Sequence, residues 1–104
     1  MIRSVLTLKT TPENSERILE LYRKEQILQE SLDLTRQFSS DIAVATDGSG
    51  EIVVCAEWPD EAGYQEWLDH PQRSRTAPEL SALLADAEIG VGRLFRVDHG
   101  VKRA

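Results

Sequence analysis

The sequence has few cationic side chains, one cysteine and no long apolar run, and each shortage excludes a class of function. Its 12 Lys and Arg stand against 18 Asp and Glu, for a formal net charge of −6, so no basic surface is available to neutralise nucleic-acid phosphates. The lone Cys55 cannot form an internal disulfide, which fits a reducing compartment. No apolar stretch approaches the length of a membrane span, and no basic, then apolar leader is present. We therefore predict a cytoplasmic protein that binds neither nucleic acid nor membrane.

The length and composition of the chain predict one small globular domain over residues 1–104. Its 104 residues are 40% hydrophobic and 29% charged, an ordinary balance for a folded protein. A chain of this size supports one hydrophobic core, and it buries little surface by itself. Oligomerisation is therefore an expected source of further burial.

Aliphatic and β-branched residues mark the strands in the first half of the chain. Residues 2–9 and 51–58 each predict a strand, and the second is apolar enough to be central in a sheet. Residues 34–46 predict another strand that bends near residues 39–40. Between the strands predicted over residues 34–46 and 51–58, Asp47-Gly48-Ser49-Gly50 predicts a hairpin turn, because aspartate and glycine tolerate the positive φ that tight turns require.

Helical spacing and proline positions mark the remaining elements. One helix is predicted from Pro12 to about residue 31. A second begins after the cap residue Asp60 and ends at Pro71, and Pro78 is expected to break the chain again. The last strand is predicted over residues 88–98. In it Ile89, Val91, Phe95 and Val97 share one face, whereas Gly90 and Gly92 lie on the opposite face, where another group approaches the backbone.

The order of these elements is β-α-β-β-α-β, which predicts an α+β fold of the ferredoxin-like type. Such a chain forms an antiparallel four-stranded sheet whose helices cover one face. The other face must also be buried. We expect it to meet the same face of a second subunit, giving a homodimer that closes as a dimeric α/β barrel.

Residues 55–71, CAEWPDEAGYQEWLDHP, concentrate the aromatic side chains. They hold both tryptophans, one of the two tyrosines, one of the two histidines and the only cysteine. Trp58 ends a predicted strand, and Tyr64 and Trp67 lie one helical turn apart. Two interpretations remain open. Aromatic residues at helical spacing usually belong to the hydrophobic core, but three aromatic side chains that converge on one strand–helix corner also fit the wall of a pocket.

The segment AEWPDEAGYQEWLDHP and the preceding ATDGSG turn resemble the antibiotic biosynthesis monooxygenase family of dimeric α/β barrels. Cofactor-free members pair a tryptophan with a tyrosine six residues later, as Trp58 and Tyr64 do here. They also use an asparagine four residues before the tryptophan, where this chain has Val54. A haem-degrading branch shares the tryptophan at Trp67, but the positions near Thr7 and Thr76 lack its other residues.

The resemblance implies a cofactor-independent monooxygenase that uses O₂ to oxidise a phenolic polycycle, of aromatic polyketide type, to a quinone. No cofactor and no metal are expected. Because Val54 supplies no amide donor, a polyketide cyclase or isomerase that stabilises an enolate remains an alternative. A ligand-binding accessory protein without catalytic activity is the other.

The resemblance and the chemistry together assign roles to seven residues. Trp58, Tyr64 and His70 are the expected catalytic residues, with His70 as general base because a histidine is mostly neutral at pH 7. The expected substrate-binding residues are Trp67, Val54, Thr7 and Arg96. Tryptophan and tyrosine suit a planar phenol because each joins a flat apolar ring to one polar group. His70 also precedes a proline at a helix end, where a capping role is the alternative, and surface ion pairing is the alternative for Arg96.

Overall fold

The computed structural model describes residues 1–85 and 87–103 and confirms the α+β class. In chain order the elements are β1 (Ile2–Lys9), α1 (Pro12–Lys24), α2 (Ile27–Leu34), β2 (Ser39–Val44), β3 (Ile52–Trp58), α3 (Glu61–Leu68), a 3₁₀ helix (Pro71–Ser74), α4 (Ala77–Leu84), β4 (Glu88–Ile89) and β5 (Arg93–Arg96). Among the described helices, none has the length and apolar character needed to cross a membrane.

The sheet is antiparallel, as predicted. β1 lies at its centre, paired on one side with β3, which in turn pairs with β2. On its other side β1 pairs with both β4 and β5. β4 and β5 are thus two pieces of one predicted strand, lying along the same edge of β1.

A bulge divides this last strand and corrects the prediction that residues 88–98 alternate without interruption. Ile89 pairs with Leu8, whereas Arg93 pairs with Val5, so three residues of one strand oppose two of the other. The extra residue reverses the alternation. Ile89 therefore faces the helices, but Phe95, opposite Arg3, lies on the other face of the sheet.

The close approach predicted at the two glycines of the bulge is confirmed. A Cβ on Gly90 would lie 2.6 Å from Thr7 Oγ1, and one on Gly92 would lie 2.9 Å from Tyr64 Oη. Because these neighbours belong to opposite faces of the sheet, the glycines do not share a face.

The core lies between the helices and one face of the sheet. Leu8, Ile18, Leu19 and Ile52 form its buried centre. Alternation along β1 and β3 directs Leu8, Ile52 and Trp58 to this covered face, because directly paired residues point the same way. The other face of the sheet, which none of the described helices covers, carries their sequence neighbours.

The predicted first helix is broken in two. α1 ends at Lys24, and Gln26 has a left-handed backbone with φ of 53° before α2 begins. The spacing of six between Tyr22 and Leu28 does not fit a continuous helical stripe, and the break accommodates it. α2 then continues to Leu34, so the predicted strand over residues 34–46 begins only at Ser39, where a bend was expected.

The second helical region begins as predicted and divides differently. Asp60 caps α3, since its carboxylate accepts a 2.8 Å hydrogen bond from the Gly63 N–H. α3 ends before Pro71, as predicted. Pro78 does not break a helix but occupies the first turn of α4, where its missing N–H costs nothing.

Candidate functional site

A cavity of about 650 Å³ lies between the covered face of the sheet and the helices. The sheet, the α1–α2 region and the segment from α3 to α4 all contribute to its wall. Most of its lining is apolar. Its aromatic members are Tyr22, Trp58, Tyr64 and Trp67, so the aromatic cluster of residues 55–71 does line a pocket.

Trp58 joins the core to the cavity. Its side chain is 1% exposed and meets the Tyr64 ring edge to face, with 5.6 Å between centroids and 75° between planes. Its indole N–H donates a 3.0 Å hydrogen bond to Ser4 Oγ. The N–H is therefore engaged within the protein, and the Ser4 hydroxyl it orients lines the cavity.

Ser4 is a candidate residue that the sequence analysis missed. It lies on the covered face of β1, on which Ile2, Leu6 and Leu8 are apolar. A serine among aliphatic residues at alternate positions was the available signal. Its role depends on the hydrogen bond that it accepts from the Trp58 indole on the neighbouring strand, and only the structure shows that bond.

His70 lines the cavity but also caps the 3₁₀ helix. Its Nδ1 accepts a 3.1 Å hydrogen bond from the Gln72 N–H, which confirms the capping interpretation. An accepting Nδ1 leaves the proton of the neutral ring on Nε2. His70 would then present a donor to the cavity, and it could act as a base there only by giving up the cap. Its ring lies 6.0 Å from that of Trp67.

The charged residues of the wall lie just after α3. Asp69 and Arg73 both line the cavity, together with Tyr22 of α1. Burial raises the pKa of the Tyr22 hydroxyl, and the positive charge of Arg73 partly opposes this rise. Arg73 therefore brings a positive charge to the part of the cavity wall that Tyr22 also lines.

Arg75 holds the same segment against the α1–α2 region. Its guanidinium contacts Glu25 Oε2 at 2.9 Å and Glu30 Oε2 at 3.0 Å. It also donates to the Glu25 carbonyl at 2.8 Å. These contacts join the chain before and after Gln26 to residues 71–76 and so enclose one side of the cavity.

Two of the predicted substrate-binding residues lie outside the cavity wall. Thr7 is exposed on the uncovered face, against Gly90. Arg96 is exposed and pairs with Ile2 at the end of β5. The structure does bring together the other five predicted residues, which are Val54, Trp58, Tyr64, Trp67 and His70.

Cys55 lies on the uncovered face, opposite Val5 and Asp41. Burial and the Asp41 carboxylate raise the pKa of its thiol. A raised pKa disfavours the nucleophilic thiolate, in agreement with its interpretation as a small apolar residue.

The polar residues Ser31 and Gln37, at the end of α2 and before β2, were also missed. Both line the cavity and both are buried, with 3% and 7% of their surface exposed. Ser31 Oγ lies 3.0 Å from Gln37 Oε1. The sequence predicts a strand over residues 34–46, and nothing in that pattern indicates that Gln37 turns inward.

Solved structures share this fold, although no protein-family model and no curated protein sequence matches the chain. A dimeric ferredoxin-like protein from an uncultured marine organism is 15% identical over 96% of this chain and 97% of its own, with a TM-score of 0.78. An antibiotic biosynthesis monooxygenase is 21% identical over 97% and 100%, with a TM-score of 0.70. SnoaB from Streptomyces nogalater, described as a cofactor-independent oxygenase, is 16% identical over 98% and 97%, with a TM-score of 0.67. The chain therefore has the fold of the antibiotic biosynthesis monooxygenases, as its resemblance to that family implied.

Proposed function

We propose that this protein is a cofactor-independent monooxygenase that oxidises a phenolic polycycle of aromatic polyketide type to a quinone. The observation that carries the proposal is the 650 Å³ cavity with the Trp58–Tyr64 pair in its wall. The fold it shares with SnoaB, a cofactor-independent oxygenase by description, supports the same reaction class. We place the enzyme in the cytoplasm as a homodimer.

The proposed reaction balances with O₂ as the sole oxidant. The substrate phenol loses a proton, and its anion gives one electron to O₂. The resulting radicals combine to form a C–O bond at a ring carbon. The hydroperoxide then loses water, taking the hydrogen of that carbon, and leaves a carbonyl group. One oxygen atom ends in the quinone and the other in water.

This chemistry needs a dry pocket for the ring system, donors for the substrate anion and a charge that favours its ionisation, and the cavity residues suit all three. The rings of Tyr64 and Trp67 offer flat apolar surfaces for a polycycle and reduce contact with bulk water, and the buried Trp58 ring supports Tyr64 from behind. The hydroxyls of Ser4 and Tyr64 are donors for the substrate anion, and Trp58 fixes the position of Ser4. Arg73 adds a positive charge to the wall, which favours ionisation of a bound phenol.

A polyketide cyclase or isomerase is the second candidate, and the Trp58 hydrogen bond favours it. With the indole N–H engaged by Ser4 and with valine at position 54, two donors expected in an oxygenase site are missing. The remaining hydroxyl donors could still stabilise an enolate, which needs no O₂. The third candidate, an accessory protein that only binds the same ligand, would use the cavity without turnover.

The test is oxygen uptake and quinone absorbance with a dihydroxyanthracene, after the protein has been dialysed against a chelator and shown to lack flavin absorbance. We expect protein-dependent uptake of one O₂ per quinone. Tyr64→Phe and Trp58→Phe should each lower kcat by roughly a hundredfold, because each removes or misplaces a donor. Phe38→Leu, at an exposed aromatic outside the cavity wall, is the matched control and should not change kcat.

The competing outcomes are distinct. Binding without uptake would favour the cyclase or the accessory protein, and conversion of a polyketide-type substrate without O₂ would identify the cyclase. Full activity in both Trp58→Phe and Tyr64→Phe would show that this pair only packs in the hydrophobic core and has no role in the reaction.

A further inference from the structure

The carboxamide of Gln37 is a buried polar group of the cavity wall, and among the described residues only its oxygen has a hydrogen-bond partner. Gln37 is 7% exposed and lines the cavity beside Ser31. Burial of an amide is costly unless its hydrogen-bonding groups find partners. Its oxygen has one, because Oε1 lies 3.0 Å from Ser31 Oγ.

The nitrogen of this carboxamide is left free. Within residues 1–85 and 87–103, Gln37 Nε2 takes part in none of the side-chain hydrogen bonds, whereas Oε1 does. The same residues contain no fully enclosed side-chain nitrogen or oxygen that lacks a partner. Nε2 is therefore open to a solvent-sized molecule, and the space that its residue lines is the cavity.

Counting protons shows that a donor remains whichever way the amide is turned. Ser31 has one hydroxyl proton and two possible acceptors, Gln37 Oε1 at 3.0 Å and the Leu28 carbonyl at 2.9 Å. If the proton goes to Leu28, Ser31 can accept one N–H from a reversed Gln37 amide. The amide has two N–H groups, so at least one stays unpaired in either arrangement.

The backbone around Gln37 is held on both sides. The Thr35 hydroxyl donates to the Ser31 carbonyl at 2.5 Å and accepts from the Gln37 N–H at 3.2 Å. The Phe38 N–H donates to the Glu57 carbonyl at 2.8 Å, next to Trp58. These bonds fix the amide at the Trp58 end of the sheet before any ligand binds, which is the requirement for a preorganised donor.

We propose that the free N–H of the Gln37 carboxamide donates a hydrogen bond to a substrate oxygen. This is the phenolate oxygen of the substrate or the carbonyl oxygen that it becomes in the quinone. The identity of that oxygen rests on the proposed function. The binding itself requires only a ligand with an acceptor at that end of its ring system. Gln37 thus contributes to the selection of oxygenated polycycles over plain hydrocarbons of the same shape.

The test compares the binding of dihydroxynaphthalene and naphthalene, followed by the quenching of Trp58 and Trp67 fluorescence. Gln37→Met keeps the length of the side chain and removes the amide. We expect it to weaken dihydroxynaphthalene binding about tenfold, the effect of one lost hydrogen bond, with naphthalene binding unchanged. Gln29→Met, the same change at an exposed position of α2, is the matched control and should alter neither affinity.

Further measurements keep the test decisive if Gln37→Met does not fold. Ser31→Ala frees the amide from its support and should weaken only the dihydroxynaphthalene complex, by a few-fold. A wild-type protein that binds both probes equally would overturn the proposal, as would wild-type selectivity in Gln37→Met. Absence of oxygen uptake would refute the oxygenase. It would not affect the test of Gln37, because the binding affinities are measured without turnover.

Discussion

At Trp58 one side chain closes the end of the core and forms part of the cavity wall. The two roles are compatible because the ring is buried while its edge-to-face neighbour, Tyr64, is half-buried on α3. The hydrogen bond from the indole to Ser4 supplies the partner that a buried N–H requires. Because this bond engages the indole N–H, the Ser4 hydroxyl on the central strand is the polar group that lines the cavity in its place.

Tyr22 gives a prediction on pH dependence. Burial raises the pKa of its hydroxyl, more than the Arg73 charge lowers it, above the value of about 10 for an unfolded chain. A raised pKa means that its contribution to stability is complete below pH of about 10 and is lost as the pH rises through the folded value. Above that pH the free energy of unfolding should fall more steeply than in Tyr22→Phe, by up to about 1.4 kcal/mol per pH unit.

Chemical denaturation at several alkaline pH values measures this difference, and tyrosinate absorbance follows the ionisation itself. Arg73→Gln should move the Tyr22 titration to still higher pH, because it removes the opposing positive charge. Tyr64→Phe is the control that keeps Tyr22 and should keep its alkaline transition. A wild-type curve parallel to that of Tyr22→Phe would contradict the assignment.

At the scale of elements, the sequence predicted those whose signals are local. β3 and the Asp60 cap are confirmed because alternation, a hairpin turn and a cap residue each act over a few neighbours. The bulge in the last strand escaped prediction, since pairing with β1, not the alternation of its own residues, sets its register. Gln37 was missed for a similar reason: a buried amide is recognisable only from the helix and cavity around it.

Gly48 and Gly50 in the β2–β3 turn give a prediction at this scale. Both have positive φ, of 79° and 87°, but only Gly50 is crowded. A Cβ there would lie 2.6 Å from the Thr10 carbonyl oxygen and 2.8 Å from Pro12 N, whereas one on Gly48 meets nothing within 4 Å. The turn is thus packed against the start of α1, and the Ser15 hydroxyl donates to the Gly50 carbonyl.

We expect Gly48→Ala to lower the free energy of unfolding by about 1 kcal/mol, the usual cost of a left-handed alanine. Gly50→Ala should cost about 3 kcal/mol or more, because backbone atoms must also move. The two substitutions share chemistry and backbone region, so their difference in urea denaturation isolates the contact with α1. Equal costs would show that this contact is not important for stability.

At the scale of the whole molecule, the uncovered face of the sheet is a surface that the proposed site does not explain. It carries Val5, Val53 and Cys55 in its middle and Phe95 near one edge, where the Arg93 guanidinium lies 4.8 Å from the ring centroid. Phe95 is 41% exposed in the single chain. Apolar side chains gathered on an open sheet face favour burial against another protein surface. Two solved structures of this fold are described as dimeric ferredoxin-like proteins.

Val53 lies in the middle of this face, between Thr7 and Ala43, so the homodimer can be tested there. Val53→Lys should leave the monomer folded, because its side chain points away from the helices, but a dimer would have to bury one ammonium group from each copy. We expect sedimentation to give half the wild-type mass at micromolar concentration, corresponding to at least a hundredfold weaker association. Val101→Lys, at a fully exposed position near the end of the chain, is the matched control and should remain dimeric. A monomeric wild type would refute the dimer. A dimeric Val53→Lys would place the contact elsewhere and leave the uncovered face for a different partner.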